Sequence, residues 1–114
     1  MKIIVNKYIP FKGFIAINLF GILFVRDEYK DDVTDVVINH EKIHTKQMKE
    51  MLYIFFYIWY GIEWLIKCFI CFDDYAYYSI SFEQEAYAND IDLKYLSKRK
   101  KYSWLKYIFK LWKK

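Results

Sequence analysis

Both histidines of the 114-residue chain lie in one pentapeptide, His40-Glu41-Lys42-Ile43-His44. Residues four apart on an α-helix face the same way, so the two imidazoles of an H-E-x-x-H segment converge on a single point. That geometry suits a metal ion, and zinc is the ion such sites take most often. Glu41 stands beside the first histidine, out of line with the pair. It is the candidate catalytic base, placed to take a proton from a metal-bound water. Two histidines scattered at random would meet this pattern only about one time in a thousand.

A catalytic zinc needs a third protein ligand and a free position for water. With no third histidine, a carboxylate has to supply it. Ser81-Phe-Glu83-Gln-Glu85-Ala-Tyr87-Ala-Asn89-Asp90 offers two, on a second predicted helix downstream of His44. Glu83 is followed one turn later by Ala86, and Glu85 by Ala88 and Asn89. A small residue at that spacing lets two helices approach closely, so either glutamate has physical sense. Glu83 is favoured as the ligand with Glu85 as the alternative; the other would hold a histidine N–H or stand on a solvated face.

With these residues the chain resembles the gluzincins, the zinc metallopeptidases typified by thermolysin. It also looks like short bacterial H-E-x-x-H proteins whose second motif reads Phe-Glu-x-Glu-Ala-Tyr. The resemblance covers the middle of the chain and implies a His₂Glu zinc site and a peptide or protein substrate. It further implies an extended substrate lying along the β segment before the helix, and a tyrosine as oxyanion donor, with Tyr87 the candidate and Tyr77 and Tyr78 also near. The second subdomain that walls the thermolysin cleft has no counterpart in this length. The reading is a zinc-dependent hydrolase, a minimal metallopeptidase. The alternative is a non-catalytic zinc-binding or membrane-associated module that retains the same site.

The elements that must position these groups read as a minimal zincin-like α+β domain. It has a short β element packed on the H-E-x-x-H helix, with two or three further helices. Hydrophobic residues make up 56% of the chain and charged residues 28%, which excludes a disordered chain. Only 3 Gly and 1 Pro argue for helices over a turn-rich β fold. Residues 14–26, rich in Ile, Phe and Val, predict two short strands about Phe20-Gly21 or one bent strand. An amphipathic helix is expected to start near Thr34, with Asp27, Glu28, Asp31, Asp32 and Asp35 offsetting its dipole and capping its N–H groups. Ser81 to Gln84 has the form of a capping box opening a helix from Phe82 to about Leu96. A last helix is expected to carry Trp104, Leu105, Ile108, Phe109 and Trp112.

The run 51–72 carries only Glu63 and Lys67 as charges, spaced so that they can pair. It is long enough for a bilayer-spanning helix or for a buried central one. Cys68 and Cys71 within it are expected as buried reduced thiols, too few for a disulfide scaffold. The net charge of +4 divides sharply, since residues 98–114 hold eight cations and no acid. The chain therefore divides into a metal-binding domain, 1–97, and a basic aromatic amphipathic tail, 98–114. The tail suits an anionic membrane surface or ordinary packing on the domain; nucleic acid is the least favoured partner. No convincing signal peptide is present, so the expected location is cytoplasmic, with peripheral or integral attachment at the inner face of the membrane as the alternative.

Overall fold

The hairpin comes first. In the computed structural model, which describes residues 1–71 and 74–110 (Asp74 by its backbone alone), strands β2 (Ala16–Leu19) and β3 (Ile22–Arg26) pair antiparallel. Phe20 and Gly21 turn the chain with φ of 54° and 91°, the left-handed pair a two-residue hairpin loop requires. A Cβ on Gly21 would also lie 3.3 Å from the Thr45 methyl group, so the glycine lets the turn close onto the metal-motif helix. A third strand, β1 (Lys2–Asn6), pairs parallel with β3 and gives the order β1-β3-β2. The sequence reading assigned nothing there, although Ile3-Ile4-Val5 is a β-branched run.

Helix α1 (Asp35–Glu50) carries the H-E-x-x-H segment. Its cap is Thr34, whose hydroxyl oxygen accepts from the Val37 N–H at 3.3 Å. The expected acidic cap is corrected: Asp27–Asp32 form a separate 3-10 turn, and Asp35 alone lies in the first turn of α1. Asn18 ties the sheet to α1, donating to the Glu41 carbonyl at 3.0 Å and the Thr45 hydroxyl at 3.2 Å. Leu52 and Tyr53, both at positive φ, turn the chain through 108° into α2 (Ile54–Ile70).

A short α3 (Asp74–Tyr78) leads into α4 (Ser81–Asn89), which lies against α1. Ala86, fully buried beside Ile43, provides the close helix approach expected of a small residue. The principal core joins Met48 of α1, Phe56 of α2, Ile80 and Phe82 at the start of α4, and Trp104. Phe82 stacks on Phe56 with centroids 4.5 Å apart and leans on Trp104 at 4.7 Å.

Three expectations fail around α4. The capping box does not form, because the Ser81 hydroxyl and N–H both donate to buried Glu63 and the Gln84 amide donates to the Ser79, Tyr107 and Lys110 carbonyls. The helix ends at Asn89, well before Leu96, because Asn39 of α1 collects the carbonyls of Asp90 and Asp92 at 2.8 and 3.1 Å. A separate short helix, α5 (Tyr95–Lys98), follows. The expected terminal helix is instead a 3-10 turn, Ser103–Tyr107, that buries Trp104 beside Phe82; Trp112 lies outside the described residues.

Candidate metal centre

Helix α1 presents His40 and His44 toward α4, and both are buried. Their Nε2 atoms are 3.1 Å apart and lie 3.1 and 2.9 Å from one carboxylate oxygen, Oε1 of Glu83. Ligands about 2.0–2.1 Å from a tetrahedral zinc are separated by roughly 3.3 Å, so this donor set is nearly at ligating geometry. His40, His44 and Glu83 thus form a buried group that could hold a metal ion.

The opposite ring nitrogens are engaged, which directs both Nε2 atoms to the shared point. His40 Nδ1 is 3.1 Å from Asp90 Oδ2, and His44 Nδ1 is 2.7 Å from Gln47 Oε1. An Nδ1–H donated to each acceptor reserves Nε2 for a metal, to which it gives its lone pair once any proton it carries is released. Gln47 is itself fixed, its amide donating to the Phe82 carbonyl and to Glu85 Oε1, both at 3.0 Å.

Glu85 belongs to a different cluster. Its carboxylate accepts from Arg99 Nε at 2.5 Å, Arg99 Nη2 at 3.0 Å and the Tyr95 hydroxyl at 2.6 Å. Arg99 also forks onto Glu50 at 2.9 and 3.0 Å. Among the described residues Glu85 reaches the metal group through Gln47. The second oxygen of Glu83 accepts from the Tyr60 hydroxyl of α2 at 2.7 Å.

Electrostatics follow from burial. Desolvation alone would push His44 down, but the Glu83 carboxylate, by charge and hydrogen bond, with Glu41 and Gln47 adding to it, raises it to about 9. Desolvation likewise works to raise Glu83, yet His44 and His40 hold it well below the usual carboxylate range. The phenols of Tyr60 and Tyr77 are pushed up by burial and by Glu83.

A cavity of about 320 Å³ opens beside the group, lined by Asn18, Glu41, His44, Tyr60, Tyr77 and Glu83 among others. Half-buried Glu41 is thus brought to the same space as two of the three candidate ligands. Tyr87 packs its ring on His40 with centroids 4.4 Å apart, and its hydroxyl lies 3.1 Å from that of Tyr77. Burial is the chief reason that the Tyr87 phenol is pushed up to about 12.

No family profile, no curated protein and no solved structure matches this chain.

What the structure establishes is the His40–His44–Glu83 group itself. Sequence reasoning did not find Asp90, Gln47, Asn39 or Tyr60. Asp90 and Asn39 left no usable signal, since their partners lie some fifty residues away. Gln47 was legible in principle, standing three residues after His44 on the same helix.

Proposed function

We propose that this chain is a metal-dependent hydrolase, a minimal zinc metallopeptidase of gluzincin type. The observation that carries the reading is the meeting of two buried imidazole nitrogens and one carboxylate oxygen beside a cavity that His44, Glu83 and Glu41 line. Imidazole nitrogens with a carboxylate suit zinc. When bound, zinc would lower the pKa of a coordinated water and polarise a carbonyl oxygen. Glu41 is the base that takes the proton from the attacking water and returns it to the leaving amine. Tyr77 and Tyr87, kept protonated by burial, supply a neutral O–H toward the developing oxyanion.

An extended peptide would lie along β2, the edge strand, of which Ala16, Ile17 and Asn18 line the cavity. Part of that edge is already occupied, since the Tyr57 hydroxyl donates to the Asn18 carbonyl at 3.2 Å and accepts from the Phe20 N–H at 3.0 Å. Strand pairing with substrate is therefore confined to the Ala16 end.

Glu41→Gln tests the reading, because it keeps the shape and removes the basicity. Metal content should be unchanged, while cleavage of an unbiased peptide library falls by about 10²-fold or more. A chelator should abolish cleavage in the wild type. Unchanged cleavage in Glu41→Gln would refute the mechanism. A zinc-loaded wild type inert across the library would support a non-catalytic module instead.

A further inference from the structure

Helix α2 is built with its charges inward. Glu63 and Lys67 are buried and pair at 2.7 Å. Lys67 also donates to the Ser79 carbonyl, and Glu63 accepts from the Trp59 indole and from the Ser81 N–H and hydroxyl. The outward face carries Ile58, Ile62, Leu65, Ile66 and Phe69, each exposing half or more of its surface and Phe69 as much as 85%. A helix facing water shows the opposite pattern. Apolar patches of this extent on a monomer mark a surface that something covers.

The basic segment extends the same face. Ile108 and Phe109, the latter 97% exposed, line one cavity with Trp59, Ile62, Ile66 and Ile70 of α2. Lys106 and Lys110 flank them, each with its ammonium 5.4 Å from the Tyr107 ring. Over residues 98–110 there are six cations and no acid; Arg99 is held by Glu85 and Glu50 and Lys98 by Asp92, which leaves Lys100, Lys101, Lys106 and Lys110.

We propose that the outward face of α2, together with Ile108 and Phe109, lies in the headgroup–acyl boundary of an anionic bilayer, with the helix axis in the membrane plane. Seventeen residues give about 25 Å of helix, short of the ~30 Å hydrocarbon core. Among the described residues no single helix is long and apolar enough to cross a membrane. An in-plane setting satisfies both faces of α2 at once, lipid against the aliphatic side and protein against Glu63 and Lys67. Trp59, 38% exposed, turns its indole N–H inward to Glu63 and lines the same cavity as Ile62 and Ile66 with its ring. A second copy seated on this face would bring Lys106 and Lys110 of each chain to one rim with no acid in 98–110 to pair them. An anionic headgroup supplies the missing charge. Tyr57 and Tyr60 place the cavity on the protein side of the same helix. The inference stands apart from the metal chemistry.

Co-sedimentation of the full chain with vesicles tests it. Binding to phosphatidylglycerol–phosphatidylcholine vesicles at low salt should exceed binding to pure phosphatidylcholine by at least about tenfold and fall as salt rises. Brominated acyl chains should quench tryptophan emission. Ile62→Glu with Phe69→Glu should weaken binding by at least about tenfold at an unchanged thermal melt, since both side chains face outward. Lys106→Glu with Lys110→Glu should remove the preference for phosphatidylglycerol. Failure of the wild type to sediment with anionic vesicles overturns the proposal. So does undiminished binding of the Ile62/Phe69 variant, or a wild-type dimer in vesicle-free buffer that this variant dissociates without any lipid binding.

Discussion

Glu83 and Glu85 stand two residues apart on one helix, yet replacing them should produce opposite phenotypes. Glu83→Ala removes the carboxylate oxygen that meets both Nε2 atoms at 2.9 and 3.1 Å. A four-ligand zinc site binds with on the order of 10–16 kcal/mol, so losing one ligand should cost on the order of 3 kcal/mol, or about 100-fold or more in affinity. Above about pH 9, where His44 is neutral with or without Glu83, the metal-free protein should tolerate the change comparatively well; at lower pH the fold also loses the His44–Glu83 pairing. Glu85→Ala works differently. It leaves the Arg99 guanidinium, whose side chain is 4% exposed, with Glu50 alone, and strips acceptors from Tyr95 and Gln47. Breaking a buried ion pair from one side costs about 3–5 kcal/mol, which should appear directly in urea unfolding with chelator present. Zinc stoichiometry should survive, with affinity reduced only about 10- to 100-fold through the loosened Gln47. Competition with a chromophoric chelator gives the affinities. Metal loss confined to Glu85→Ala, with Glu83→Ala still binding tightly, would refute this assignment of roles.

Two further outcomes follow from the histidine environment. The His44 pKa is raised from 6.5 to about 9, so its pairing with Glu83 stabilises the metal-free fold fully below pH 6.5 and loses that contribution as pH rises toward 9. The loss should be of order 3 kcal/mol in chelator-treated protein, and metal uptake between these limits should release a proton that a weakly buffered indicator detects; a flat stability profile across this window would contradict it. Asp90→Asn removes the charge 3.1 Å from His40 Nδ1 and should weaken metal binding about 10- to 100-fold with little change in the melt of the metal-free protein, and unaltered affinity would show that Asp90 does not orient the ring.

Local periodicity is what a chain writes into its sequence, and the elements that depend on it were legible. The four-residue step of His40 and His44 needs only one helix, and Thr34 starts that helix where the pattern predicts. The hairpin about Phe20-Gly21 likewise rests on turn stereochemistry that neighbouring residues decide. The Glu63–Lys67 pair formed, again at helical spacing, and Cys68 and Cys71 are free thiols, half-buried rather than buried. The α+β class followed from the order of these elements.

Choices between local alternatives were made at long range. Ser81 and Gln84 have a capping-box spacing, but Glu63 from α2 and carbonyls of the last turn competed for the same groups and won. The run 51–72 read equally well as spanning or buried; in the fold, α2 buries Phe56, Glu63 and Lys67 and leaves its aliphatic face exposed. Which of Glu83 and Glu85 turns toward the histidines could not be read from α4, because the helix offers both at roughly 200° from each other. Arg99, just past the end of α5, neutralises Glu85 on one side while Ala86 lets α1 close on the other. The H-E-x-x-H helix and a downstream glutamate were therefore determined by sequence alone. The identity of that glutamate, and of Asp90 and Gln47 behind the imidazoles, was decided only by the packing of α4 on α1, since a buried charge takes whichever orientation gives it a partner.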